Sequence, residues 1–169
     1  YLIIQSNTAI SGDFTTVNFG DVASNVDYLT LSGRKETNNT QYLVGFGLSW
    51  QAPAYQSHGT FTLTQADDQF VVDVVLTDEV TATGNPWDGQ TLTKAGAGTL
   101  VLAAQNTYTG VTYINEGTLQ AGIINTIAQS SAVIIGADGV FDLNGFNQTV
   151  NNISGAGNIM LGNGTLTMN

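Results

Sequence analysis

A glycine returns along this chain about every twenty residues, and the residues behind it return with it. Gly98, Gly117, Gly139 and Gly157 lie 19, 22 and 18 residues apart. Two positions after each stands a large apolar residue: Leu100, Leu119, Phe141 and Ile159. Four positions after stands another: Leu102, Ala121, Leu143 and Leu161. Eight positions after the first three stands asparagine: Asn106, Asn125 and Asn147. A fixed period in this range belongs to solenoids, where each repeat is one unit stacked on the last. The +2/+4 alternation is a strand period, so the unit is built from strands. A coil of about twenty residues made of strands is one turn of a parallel β-helix. The reading is specific: Leu100, Leu119 and Phe141 must share one column.

Composition narrows the function classes. The chain has 169 residues, room for about eight such coils. Apolar residues make up 42%, enough for a core, while charged residues reach only 9%, far below the roughly 25% of ordinary domains. Thr, Asn, Ser and Gln supply the polar surface instead. The net charge of −10 repels nucleic acid, which is excluded as a partner, and disfavours an anionic membrane surface. With no cysteine there are no disulfides, thiolate metal sites or thiol nucleophiles. A chain threaded unfolded through a pore would also be spared premature disulfides.

The pattern divides the chain, read as a single β-helix domain over 1–169. Residues 90–169 form regular repeat coils, with alternating strands at 91–93, 98–102, 111–114, 117–119, 132–135, 140–143, 149–153, 158–161 and 165–167. A single helical turn is expected over Thr126–Ser130. Residues 1–89 form irregular coils with a hairpin at about 28–50, which protrudes from or caps the solenoid. Gly59 reads as another anchor, two repeats before Gly98, with Phe61 and Leu63 at +2 and +4. Phe70–Leu76 is the strongest strand run in the chain. The asparagines either stack as a ladder across coils about 4.8 Å apart or simply tolerate left-handed turns. Strand-like segments at both ends suggest a piece of a longer protein.

The run from Trp87 through Lys94, Gly98-Thr99-Leu100-Val101-Leu102 and Asn106-Thr107-Tyr108-Thr109-Gly110 to Gly117-Thr118-Leu119 resembles the repeat of Gram-negative autotransporter (type V secretion) passenger domains. Phe141-Asp142-Leu143-Asn144-Gly145-Phe146-Asn147-Gln148-Thr149-Val150 and Ser154-Gly155-Ala156-Gly157 continue the likeness. Upstream, Tyr42–Trp50 and Ser57–Phe61 are similar to the segment before this repeat in AIDA-type adhesins and the actin-recruiting surface autotransporter. The resemblance implies a right-handed parallel β-helix exposed on the bacterial surface. It implies a structural or adhesive stalk, tied to an outer-membrane barrel of the same parent chain. A host surface protein, a glycan or another cell's copy is the implied contact.

Candidate chemistry is thin, and no catalytic, cofactor-binding or metal residue is expected. Asp67, Asp68, Asp73, Asp78 and Glu79 cluster in sequence, but a calcium site needs six to eight converging oxygens, and the calcium β-roll nonapeptide is missing. Asp138 and Asp142 could form the carboxylate pair of a polysaccharide-active β-helix enzyme, a lyase or tailspike-like hydrolase, yet both fit turn and outward strand positions. The basic residues Arg34, Lys35 and Lys94 do not gather, two of them falling in the hairpin loop. His58, the sole histidine, lacks a nucleophile partner. Trp50 and Trp87 read as buried gap-fillers where regularity breaks. Gly96 and Gly98 precede no helix and cradle no phosphate. The sequons at Asn38, Asn147, Asn152 and Asn163 carry little weight in a bacterial protein. Besides the enzyme, the remaining alternative is a segment that assists folding of the passenger during secretion.

Overall fold

The computed structural model of the chain describes residues 2–11, 26–35 and 39–169. The described residues form strands joined by turns, with one 3₁₀ turn at Ser49–Gln51. β1 (Leu2–Gln5), β2 (Leu29–Lys35) and β3 (Gln41–Leu48) make a small antiparallel sheet in the order β1-β3-β2. All later pairings are parallel. β4 (Thr60–Thr62) pairs with β6 (Leu92–Ala95), and β5 (Gln69–Val72) with β7 (Thr99–Leu102). Both β6 and β7 pair with the long β8 (Thr112–Ala121), which pairs with β9 (Val133–Asp142). β11 (Ile153–Gly155) and β12 (Asn158–Met160) lie on β9. On a further side, β10 (Gln148–Val150) pairs with β13 (Leu166–Met168). Parallel pairing between successive chain segments is the signature of a β-solenoid.

The registers confirm the column that the glycine period demands. Leu100 lies on Leu119, Leu119 on Phe141, and Phe141 on Ile159. The first three are fully buried and belong to one core cluster. A second inner row runs Leu92–Thr112–Val133–Ile153, and a third Phe61–Lys94–Ile114–Ile135–Gly155. Each fully buried Leu, Ile or Phe contributes about 1.5–3 kcal/mol, so the rows together hold the stack. Gly117 and Gly139 are register partners at a shared corner. Gly117 has φ 66°, and a Cβ there would overlap the Gly96 carbonyl oxygen. At Gly139 it would overlap the Ile114 carbonyl oxygen. The period is therefore a steric requirement: backbone of one coil sits where a side chain would be.

Four expectations need correction. Gly59 does not share the frame of Gly98, because Phe61 pairs with Lys94, while Phe70 pairs with Leu100. The corner between β4 and β5 is longer than its counterparts downstream, which displaces the frame. The apolar run Phe70–Leu76 is strand only to Val72; Val74 and Val75 are exposed. Its continuation turns away to let the Leu76 N–H donate to Asn106 Oδ1 at 2.8 Å. Thr126–Ser130 contains turns rather than a helical turn, closed by Ser130 N–H on the Ile127 carbonyl. The asparagines do not stack on one another, as described below. The hairpin tip at 36–38, with Asn38, lies outside the described residues.

The residues that flank the β2–β3 hairpin pack on one end of the stack. Phe61 and Phe70 head inner rows, and the Tyr28 ring lies on both, at 6.0 and 4.4 Å between centroids. Trp50, fully buried, meets Trp87 edge-on at 4.8 Å and Tyr108 at 5.3 Å. Both indoles are satisfied, Trp50 Nε1 donating to Thr77 O and Trp87 Nε1 to Thr91 O. Tyr28 and Trp50, on either side of the hairpin, thus pack on the end of the coils, and Trp50 and Trp87 fill the irregular space there.

Candidate interaction face

The same registers that align the core also align the outside. Thr60, Thr93, Tyr113, Ile134 and Ser154 form one outward row. Gln69, Thr99, Thr118, Val140 and Asn158 form a second, and Val71, Val101, Gln120, Asp142 and Met160 a third. Gln120 Nε2 donates to Asp142 Oδ2 at 2.8 Å along this last row. The result is two outward strips, one on each side of the Gly117–Gly139 corner, with polar and aliphatic side chains at regular intervals and one carboxylate, Asp142. Such strips can bind by shape and by hydrogen bonding; they carry no row of cations to hold a polyanion.

Polar side chains also tie one coil to the next. Asn106, buried, accepts from Leu76 N–H and donates through Nδ2 to Thr126 O at 3.0 Å, bridging two neighbouring coils. Asn125 Oδ1 accepts from Thr149 N–H, and Asn147 Oδ1 from Thr165 N–H. Asn125 also sits at φ 55°, so this position uses the turn tolerance and the cross-coil bond at once. The recurrent asparagine is a side chain bonded to the next coil's backbone, not a ladder of amides. Buried hydroxyls make a further chain: Tyr108 Oη with Thr112 Oγ1 at 2.7 Å, Thr112 with Ser130 Oγ at 2.9 Å, and Ser130 onto Gly110 O. Full burial drives the Tyr108 phenol far up, despite the Thr112 hydrogen bond, so it stays neutral.

Lys94 is the residue that sequence reading passed over. It lies inside, between Phe61 and Ile114, with no exposed surface. Its Nζ donates to the carbonyls of Ala95, Gly96 and Glu116, the last at 3.0 Å on the adjacent coil. An ammonium spends its three N–H donors on three carbonyls, which is what makes burial tolerable. Burial still pulls its pKa down to about 8, with the Glu116 carboxylate opposing. The alternation Leu92 in, Thr93 out already pointed Lys94 inward.

The other singled-out residues do not come together as a reactive centre. Asp138 pairs in register with Glu116 at a corner, whereas Asp142 is engaged by Gln120 and by the Asn144 amide. His58 Nδ1 accepts the Thr60 amide at 3.3 Å. Asp68 accepts the Gln65 amide and Asp78 both donors of Thr109. Among the described residues, no three His, Cys, Asp or Glu side chains group closely enough to hold a metal. No described helix is long and apolar enough to cross a membrane, which leaves strand-built membrane domains elsewhere in a parent chain unaddressed.

A family model described as the passenger-associated-transport-repeat matches residues 92–121, from the start of β6 to the end of β8. The chain is thus similar to autotransporter passenger segments. It is 42% identical over 82 residues to the adhesin BmaC autotransporter of Brucella suis biovar 1 (strain 1330), covering 46% of this chain and 2% of that one. It is 31% identical over 117 residues to the probable autotransporter YfaL of Escherichia coli (strain K12), covering 64% and 9%. It is 34% identical over 111 residues to the uncharacterized protein YuaQ of the same strain, covering 57% and 8%. The segment thus spans under a tenth of each relative's length. The similarity to autotransporters supports a location at the bacterial surface.

Proposed function

We propose that the segment is a non-catalytic stalk of a surface adhesin, a single β-helix unit of a longer passenger whose coils carry or support contact with a host or another cell. One observation carries this reading: the unbroken inner row Leu100–Leu119–Phe141–Ile159, with backbone ladders joining each pair. A shared core and axial hydrogen bonds make the coils one stiff body, since each coil buries its neighbour. The similarity to a named adhesin supports the same role. The outward rows of Thr, Tyr, Gln and Asn offer either a host protein, a glycan or a second copy a regular hydrogen-bonding surface. Deleting residues 92–142 from the parent passenger tests the proposal. Surface display should persist while adhesion or cell-to-cell aggregation falls. Loss of export itself would favour the folding-assistance reading, and turnover of a glycan by the purified segment would overturn the stalk.

A further inference from the structure

We propose that a second copy of this chain docks end to end on the coil formed by β11, β12 and β13, giving a closed dimer of rods. The proposal is independent of the outward rows. It starts from a change along the inner rows. Leu100, Leu119 and Phe141 are 0%, 1% and 0% exposed, but the next member of their row, Ile159, is 40% exposed. Two places further on, Leu102, Ala121 and Leu143 are buried, whereas Leu161 is 44% exposed. Val150 is buried, and its register partner Met168 is 63% exposed. The backbone edge is open as well. Among the described residues, β11 and β12 pair only with β9, and β13 only with β10. The Met160 carbonyl accepts the Leu143 N–H, so it faces β9. Backbone polar groups alternate sides along a strand, so the N–H and C=O of Ile159 face the open side.

Exposed strand edges are commonly blunted by charge or proline. This one is not: residues 143–169 contain no Asp, Glu, Lys, Arg or Pro. The net charge of −10 is therefore carried upstream. The nearest carboxylate in register, Asp142, lies one strand back and is engaged by Gln120. Two copies meeting at this end bring no like-charged side chains together. The opposite end is occupied. Tyr28 lies there on Phe61 and Phe70, and Asp27 takes the N–H and hydroxyl of Thr62. Head-to-tail growth is blocked at that end, which leaves the same surface on both partners and a contact that closes at two. A twofold axis through the joint reverses strand direction, so β12 meets the second copy's β12 antiparallel, with the Ile159 backbone groups pairing across it. Ile159, Leu161 and Met168 leave water in the same step.

Sedimentation of the 169-residue chain over roughly 1–100 µM should show a monomer–dimer equilibrium that stops at two copies. Amide exchange at Ile159 should slow as the dimer fills, while the amides of β8, paired on both sides, stay unchanged. Ile159→Lys with Leu161→Lys should weaken association by at least about tenfold. Met168→Lys on β13 should weaken it in the same direction if the double variant does not fold. Val80→Lys, which replaces an exposed apolar side chain outside this coil, should leave it unchanged. A chain that stays monomeric over this range overturns the proposal, and so does growth past two copies. A dimer insensitive to the end variants, or equally sensitive to Val80→Lys, overturns it too, because the contact then lies elsewhere on the rod.

Discussion

The coils from Leu92 onward and the junction around Trp50 bury side chains equally well, but by opposite means. In the coils one solution is repeated: glycine at the corner, apolar residue two places on, amide tying the next turn. At the junction every contact is made once, by Trp50 on Trp87 and Tyr108, Tyr28 on Phe61 and Phe70, and aspartate on threonine. Repetition makes a contact readable from sequence and makes its loss spread, because each coil is the floor of the next. A contact made once is invisible to periodicity, and its loss stays local.

The largest test of this contrast pairs Phe141→Ala with Trp50→Ala. Each should cost about 3–5 kcal/mol at its own site. The first should lower the urea midpoint of the whole segment, and the second should expose Trp87 while exchange protection of β8 and β9 survives. Equal loss of protection in both variants would erase the distinction. Asn106→Ala should cost about 1–3 kcal/mol, since it leaves the buried Leu76 N–H without its acceptor and removes one of the two bonds to the Thr126 carbonyl. Asn147→Ala, at an exposed position, should cost about 0.5–1.5 kcal/mol in the same unfolding assay.

Lys94 gives a subtler test within the regular half. Its folded pKa lies near 8, below the ordinary 10.5. Between these values the unfolded chain holds a proton that the folded chain has released. Stability gained through this group therefore rises with pH across that window and is flat on either side. Lys94→Met, which keeps most of the packing, should abolish the rise. Matched urea titrations at neutral pH and above pH 10 would show it, and an unchanged difference between the two chains would refute the burial of the ammonium.

The sequence placed the Leu100–Leu119–Phe141 row, an antiparallel hairpin within 28–50 and the burial of Trp50 before any coordinates. It failed where its period was interrupted. Gly59 had the right followers but the wrong frame, since the insertion at 63–68 changes how many residues one corner consumes. Phe70–Leu76 looked like one strand because apolar content does not reveal the bend after Val72. The interaction face was legible only as outward Thr and Asn positions. The hydroxyl chain Tyr108–Thr112–Ser130 and the Lys94 carbonyl cage were missed because each joins residues whose partners lie a coil away. Only the inward parity of Lys94 and Thr112 carried a trace of them.

The meeting of Gly117 with Gly139 fixes where one coil touches another without naming which coil it is. Any turn with the same corner would fit on any other. Tandem duplication or loss of about twenty codons could then lengthen or shorten the stack in whole steps. Its length becomes a quantity that evolution can adjust in integers.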